Sequence, residues 1–512
     1  MECSPSKRRL LIIISVLFLV LGLIGLIILC ALFALSVNVG NMNAVVLDAG
    51  STSTKLTLYE WKDYPFRTNG AVKQIKEARE KPGISSYIDK PFQAYEKLAG
   101  PLQNLVADIP QSKRSKIPVY LAATAGMRLE LIKSPLASMD LFDIIRRGLL
   151  NSGLAVETPN ERIRMLSGSE EGLFGWVSVN NILGTVTEET QVAPANTVGS
   201  LDLGGASTQI SFVAKTKPPS REASMDYYPL KLFGRQYTVY SHSFLCYGKN
   251  EFEKRIQGSI IGTNTNTSIG NPCLLKGYMT NASAAKIYDS PCITGTYAES
   301  VFTEKLSKPA GLERFTFVGT GNPNTCRDVV RKQFKTGSCT IQPCSFNNIH
   351  QPQVTGVFRA YAGFSYAMAH LFPNKVTGFT KSEIENAVYR FCNKTWAEVA
   401  SETDPKQLEF VYNFCYDGIY ILELLTNFGF KTDESWKAIT FGAKINGQSV
   451  SWALGYMLDQ SGFLPSESPK VQVSVPLFAA LFVILFLIII ASIVCLAFAV
   501  CSSSKHSANH DF

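Results

Sequence analysis

Two short stretches of this chain have residue types suited to holding phosphate: Asp48-Ala-Gly50-Ser51-Thr52-Ser53-Thr54-Lys55 and Asp202-Leu-Gly204-Gly205-Ala206-Ser207-Thr208-Gln209. In each, an Asp is followed by glycines and small hydroxyl residues. Glycine lets backbone approach an anion, successive N–H groups in a tight turn form a nest for it, and Ser or Thr hydroxyls add donors. A carboxylate beside phosphate requires a cation. Asp48 and Asp202 therefore imply a divalent metal, Ca²⁺ or Mg²⁺, held directly or through water. One Asp-Gly turn is ordinary hairpin chemistry, but two copies can clamp a polyphosphate from both sides. Hydrolysis also needs a base near an attacking water. Glu171, in Gly168-Ser-Glu170-Glu171-Gly172, is the candidate. By itself it reads as an ordinary helix-start carboxylate, as does Glu170 beside it. Thr124 and Arg128 read by themselves as a helix cap and a surface cation.

The elements that must position these groups follow from the apolar pattern. Ala44–Tyr59 and Val198–Val213 each read as strand, tight turn, strand, and the repetition suggests an internal duplication. Ile117–Ala122 reads as a short strand, Asp140–Leu150 as a helix, and the segment from Ser167 through Leu183 as a helix after a glycine-rich start. Strands and helices alternate, so an α/β architecture is expected. Pro218–Asp226 and Gly258–Asn271 read as loops. Val357–Phe372 and Ile419–Phe428 read as buried helices, and Ser466–Lys470 as a linker.

Two long apolar runs flank this region. Leu10–Val37 and Val475–Val500 each exceed the roughly 20 residues a bilayer requires, and the first is longer than the core of a cleaved signal peptide. Lys7, Arg8 and Arg9 precede the first run, which predicts cytoplasmic termini and a middle region on the outer side. No third spanning run is expected between Asn38 and Lys470. The net charge of +8 over 512 residues is modest, and no charge run points to nucleic acid. Cys3, Cys30, Cys495 and Cys501 lie in or beside the apolar runs. Cys246, Cys273, Cys292, Cys326, Cys339, Cys344, Cys392 and Cys415 all fall in the second half of the middle region, an even set that fits a disulfide framework in an oxidising compartment. Sequons at Asn266, Asn281 and Asn393 fit the same side.

The runs DAGSTSTK (Asp48–Lys55), ATAGMR (Ala123–Arg128), GSEEGLFGW (Gly168–Trp176) and DLGGASTQISF (Asp202–Phe212), with Ala360–Tyr366 and Ser451–Leu458, resemble in order the apyrase conserved regions of the nucleoside triphosphate diphosphohydrolases. His242–Asn250 resembles their cell-surface branch. The resemblance covers nearly the whole chain. It implies an actin-like α/β fold: two lobes, each on a ribonuclease-H-like sheet, between two transmembrane helices. The expected organisation is residues 1–9 cytoplasmic, 10–37 transmembrane, 38–167 with 443–468 as lobe one, 168–442 as lobe two, 475–500 transmembrane and 501–512 cytoplasmic.

In the same terms, Glu171 is the base that activates water for in-line attack on terminal phosphorus, and Ser207 holds that water. Asp48 and Asp202 anchor hydrated Ca²⁺ or Mg²⁺, with Gln209 and Trp452 near it. Ser51, Thr52, Ser53, Thr54, Thr124, Ala125, Gly204, Gly205, Ala206, Ser207 and Gln209 bind phosphate. Tyr366, or Ser365 if the alignment slips, and Phe414 flank the base, and Lys249 is the cation beside it. The implied disulfides are Cys246–Cys292, Cys273–Cys326, Cys339–Cys344 and Cys392–Cys415. The implied substrates are nucleoside di- and triphosphates such as ATP, ADP, UTP and UDP, at the plasma membrane. A Golgi lumenal diphosphatase and a non-catalytic receptor on the same fold are the alternatives. The partner expectations are nucleotide, membrane and, left open, a second copy of the chain. Ser53 stands where vertebrate surface members often have His or Arg, so the preference between tri- and diphosphate is not implied. A cysteine pair common in the first lobe of that branch is absent.

Overall fold

The computed structural model describes residues 5–37, 41–62, 72–187, 190, 192–337, 339–460 and 473–507. Cys3 and the 466–470 linker lie outside these residues. The terminal apolar helices fall in one compact unit, and residues 43–61 and 69–468 form another.

In the first unit the apolar runs become helices Pro5–Val37 and Val475–Ser507. Each is long and apolar enough to cross a membrane, and no other described helix is. They pack where side chains are small. A Cβ on Gly22 would stand 2.9 Å from Ile489, and one on Gly25 would stand 3.1 Å from Leu485. Phe33 stacks on Phe478 at 4.0 Å between ring centroids.

The second unit is built on two related sheets. The first has strands β1 (Asn41–Ala49), β2 (Thr54–Lys62), β3 (Lys73–Glu80), β4 (Val119–Ala123) and β5 (Ile163–Met165), in the order β3-β2-β1-β4-β5. The chain continues through β6 (Gly199–Leu203), β7 (Ser207–Val213), β8 (Tyr227–Leu232) and β9 (Arg235–Leu245). A small sheet of β10 (Ser268–Asn271), β11 (Met279–Ser283) and β12 (Arg314–Gly319) follows, and then β13 (Phe358–Ala362) and β14 (Ile439–Phe441). The second large sheet runs β14-β13-β6-β7-β9-β8. Without the edge strand β8, its order is that of the first sheet. In both, the central strand has a parallel neighbour on one side: β1 with β4 and β6 with β13. This is the duplication suggested by the repeated motif, and the architecture is the actin-like α/β arrangement.

Strand alternation sorts the cores. Val45 and Leu47 point to one apolar cluster with Leu98 and Ile145. Ala44 and Val46 point the other way, to a layer shared with Trp176, Val239, Tyr361 and Trp452. Leu201, Leu203, Ile210 and Phe212 face a third cluster. The helices Gly168–Ile182 and Ala453–Gln460 belong to the shared layer. They meet where Gly455 leaves no room for a side chain: its Cβ would lie 2.2 Å from the Phe174 carbonyl oxygen.

Two local expectations are corrected. Val357–Phe372 is not one helix, because Phe358–Ala362 forms the inner strand β13, beside β6, before helix Gly363–Leu371 begins. A short apolar run has no period that separates a buried strand from a helix, and pairing with β6 decides it. Gly258–Asn271 is not wholly loop: helix Lys249–Ile261 extends into it and Ser268–Asn271 pairs with β12. The four disulfides join the pairs named above, and Asn266, Asn281 and Asn393 are exposed.

Candidate active site

The duplicated turns close in the same way. The Gly50 N–H donates to the Ser53 carbonyl at 3.0 Å, and the Gly204 N–H donates to the Ser207 carbonyl at 2.9 Å. Ser53 and Ser207 are therefore structural counterparts. A third loop joins them after β4, where the Thr124 N–H donates to the Ala49 carbonyl at 3.2 Å and helix Ala125–Lys133 starts. Ser51 is wedged between two glycines. A Cβ on Gly126 would lie 2.7 Å from Ser51 Cα, and one on Gly205 would lie 2.5 Å from Ser51 Oγ. Gly126→Ala must displace the first turn, because the clash is with backbone. The expected result is a roughly 10-fold or greater loss of kcat/KM in a protein that still melts cooperatively. Steady-state kinetics with a thermal melt checks it.

These loops line a cavity of about 330 Å³ together with Asp48, Lys55, Arg79, Glu171, Asp202, Tyr361, Tyr366 and Trp452. Glu171 reaches it because of a capping box. Ser167 Oγ accepts from the Glu170 N–H at 3.2 Å, and the Glu170 carboxylate accepts from the Ser167 N–H at 2.8 Å. That exchange is typically worth about 1 kcal/mol. Glu170 is further tied outward to Arg164 at 2.9 Å. Glu171, one residue on, faces inward and is 7% exposed. The chain thus separates two adjacent carboxylates into a cap and a cavity group.

Glu171 Oε2 accepts from Arg128 Nη2 at 2.6 Å and from Gln209 Nε2 at 3.1 Å. The same two donors reach Ser207 Oγ, at 3.1 and 2.6 Å. Gln209 also donates to Ser243 Oγ at 2.8 Å. Base candidate and serine are therefore held side by side by one guanidinium and one amide. Burial pushes the Glu171 carboxyl up to about 7 against the opposing pull of Arg128, with Asp48 adding to the rise. Burial likewise raises Asp48 to about 6, although Lys55, Arg79 and the Trp452 hydrogen bond oppose it. Asp202 is raised well above the usual carboxylate range by burial and by the charges of Glu171 and Asp48.

Two buried carboxylates, Glu171 and Asp202, and the half-buried Asp48 around one cavity create a negative field that invites a cation. Among the described residues, no three His, Cys, Asp or Glu side chains come close enough together to hold a bare ion. Two carboxylates, with Gln209 Oε1 buried and lacking a partner nearby, instead suit a hydrated oxygen-seeking ion held through its waters.

Of the other residues named from sequence, Ser51, Thr52, Ser53, Thr124, Ala125, Gly204, Gly205, Ala206, Ser207, Tyr366 and Trp452 line the cavity. Thr54 does not: it is 1% exposed on β2. Gln209 is not among the lining residues; it is buried, with its amide nitrogen on Glu171, Ser207 and Ser243. Lys249 pairs with buried Asp417 at 2.8 Å. Phe414 is buried against the His370 ring at 5.0 Å, away from the cavity lining. Ser365 is also buried, while Tyr366 is 54% exposed.

Sequence reasoning read Arg128 by itself as a surface cation, whereas its side chain is 13% exposed and paired with Glu171; it assigned no role to Lys55 or Tyr361. All three sit inside the quoted segments, where the position of the two cations, Arg128 and Lys55, could have flagged them. Tyr361 sits in an apolar run with no polar signal.

The chain matches the GDA1/CD39 (nucleoside phosphatase) family over residues 37–475. It is 34% identical to ectonucleoside triphosphate diphosphohydrolase 8 of Bos taurus over 453 residues, covering 85% of this chain and 87% of the relative. It is 33% identical to ectonucleoside triphosphate diphosphohydrolase 3 of Mus musculus, covering 90% and 86%. The fold is similar to that of a nucleoside triphosphate hydrolase from Neospora caninum, with TM-score 0.63, 16% identity, and coverage of 86% of this chain and 95% of that one.

Proposed function

As the chain belongs to the GDA1/CD39 (nucleoside phosphatase) family and is a nucleoside triphosphate diphosphohydrolase of the apyrase type, we propose that it removes terminal phosphates from nucleoside tri- and diphosphates outside the cell by attack of water activated by Glu171. The observation that carries this reading is the shared clamp on Glu171 and Ser207 at the wall of a cavity lined by two phosphate-type turns. The turns present backbone N–H groups and the hydroxyls of Ser51, Thr52, Ser53 and Thr124 to the phosphates. Glu171 takes the proton of the water, and Ser207 Oγ orients it. Arg128 keeps Glu171 and Ser207 side by side. A Ca²⁺ or Mg²⁺ ion held through water by Asp48 and Asp202 would offset developing charge on the phosphates. Phosphoryl transfer asks for positioning and electrostatics more than covalent chemistry, and no phosphoenzyme is required.

Two membrane-competent helices and three exposed sequons support a surface location with both termini cytoplasmic. The test is phosphate release by intact expressing cells given ATP, ADP or AMP with Ca²⁺ or Mg²⁺, then with EDTA. Release from ATP and ADP, none from AMP, and loss with EDTA is the expected result. Surface protein that releases nothing would sink it in favour of a non-catalytic receptor. Activity only after permeabilisation would place it in an organelle lumen. The ATP-to-ADP ratio reports on Ser53.

The pH dependence follows from Glu171. Only its ionised form accepts a proton, and burial lifts its carboxyl to about 7. The expected kcat/KM therefore falls as pH drops through about 7, roughly 10-fold per unit well below it. A profile flat from pH 5 to 8 would remove Glu171 from the role of base.

A further inference from the structure

The duplication relates Asp48 to Asp202, but different groups hold them. Asp48 faces the Trp452 side chain, which lowers its carboxyl against the rise from burial, and an indole N–H only donates. Asp202 faces the Tyr361 phenol, which acts on it in the same direction. Tyr361 pairs directly with Asp202 across the parallel strands β6 and β13. It is 1% exposed and lines the cavity. Its hydroxyl oxygen lies 3.1 Å from Ser200 Oγ, two residues before Asp202 on the same strand. With the phenol proton on Asp202, the Ser200 hydroxyl donates to the phenol oxygen. The relay runs Ser200 to Tyr361 to Asp202.

The space for this hydroxyl is built in. A Cβ on Gly175 would lie 2.5 Å from Tyr361 Oη, and Gly175 is on the helix that carries Glu171. The phenol thus sits between the Glu171 helix and the Asp202 strand, where a benzyl group would fill the volume without donating.

We propose that Tyr361 is a positioning residue that fixes the orientation of Asp202 and so sets how strictly the site discriminates between divalent cations. Each aspartate receives one aromatic donor, which pins one side of the carboxylate and leaves the other for the water shell of an ion. Mg²⁺ demands near-ideal octahedral geometry, whereas Ca²⁺ tolerates irregular and higher coordination. Loss of the Tyr361 donor lets Asp202 rotate, which penalises Mg²⁺ more than Ca²⁺. Groups that orient a metal's inner ligands typically contribute 10- to 100-fold in affinity or activity, roughly. One of two pinned carboxylates, acting through water, falls at the lower end.

The proposal rests on the reading of Asp48 and Asp202 as cation anchors. It is tested in the full-length membrane protein with Tyr361→Phe and, separately, Ser200→Ala. Two quantities are measured: the free Mg²⁺ and Ca²⁺ that half-saturate ATP hydrolysis, and the rise in thermal midpoint that each cation gives with a non-hydrolysable nucleoside triphosphate. For Tyr361→Phe, half-saturating Mg²⁺ should rise about 10-fold and Ca²⁺ about 3-fold, with kcat at saturating cation within about twofold. The Mg²⁺-dependent thermal shift should shrink before the Ca²⁺-dependent one. Ser200→Ala should move both in the same direction by less, and it decides the matter if Tyr361→Phe fails to fold. Wild-type values for both cations in the variants overturn the proposal, as does a lowered kcat with unchanged half-saturation. A wild-type protein indifferent to cations would instead overturn the anchor reading itself.

Discussion

Glu171→Gln lowers kcat by a factor of about 10² or more, the usual scale for removing a general base, while KM changes far less. Gln is nearly isosteric with Glu. Its amide oxygen can still accept from Arg128 and Gln209, which now hold Glu171 at 2.6 and 3.1 Å. The two turns are untouched, so phosphate binding should persist. The loss is then of proton acceptance alone, a function realised in the transition state.

Stability gives an internal control. Burial raises the folded-state Glu171 carboxyl from its ordinary 4.5 to about 7. The native state therefore binds more protons than the unfolded chain between those values, and this group's contribution to stability is lost as pH rises through them. A neutral Gln avoids that loss. The variant should melt no lower than wild type at pH 8, so a fall in kcat there cannot be attributed to unfolding. Near-normal turnover in a folded variant would assign the base elsewhere.

Asp202→Asn and Asp48→Asn raise the half-saturating Ca²⁺ or Mg²⁺ by about 10- to 100-fold, the range for groups that hold an ion through its first shell. Asp202 is buried and Asp48 half-buried in the cavity that Glu171 lines; the charge of Asp48 raises the proton affinity of Glu171, and both raise that of Asp202. Each amide removes one negative charge and one acceptor without changing volume. Activity should recover in part at high cation concentration, which distinguishes weakened cation binding from a broken site. The double variant should cost less than the product of the single ones, because both groups serve one ion. Cation titrations of turnover provide the measurement. Wild-type half-saturation in either variant would remove that residue from the anchor role.

The fold was legible where chemistry is local. Each Asp-x-Gly turn needs glycine at a position where a Cβ would press on the carbonyl that closes it, and this shows as letters in the chain. The same holds for the terminal helices, since spanning a bilayer depends on length and apolar content. Elsewhere the pattern was silent. Phe358–Ala362 and Gly363–Leu371 differ in structure but not in apolar character. The strand exists because β6 offers it a parallel edge. Helix Lys249–Ile261 runs past the glycine at 258 because Leu306 and Ile293 pack beside it, an instance of tertiary packing overriding local propensity.

By itself, the sequence determined the duplicated strand–turn–strand frame, the phosphate-type loops, the apolar ends and, through its resemblance to a family, the chemistry and the cysteine pairing. Only the tertiary structure decided that a capping box turns Glu170 outward and Glu171 inward, that Arg128 clamps Glu171 to Ser207, that Tyr361 stands opposite Asp202, and that Phe414 is core. The reason is physical: the backbone near a turn or helix start answers to its own few residues, whereas the partner of a side chain is set by the register of strands far away in sequence. Tyr361 meets Asp202 only because β13 pairs with β6 in one register, and a slip of one residue would turn that phenol to the opposite face of the sheet.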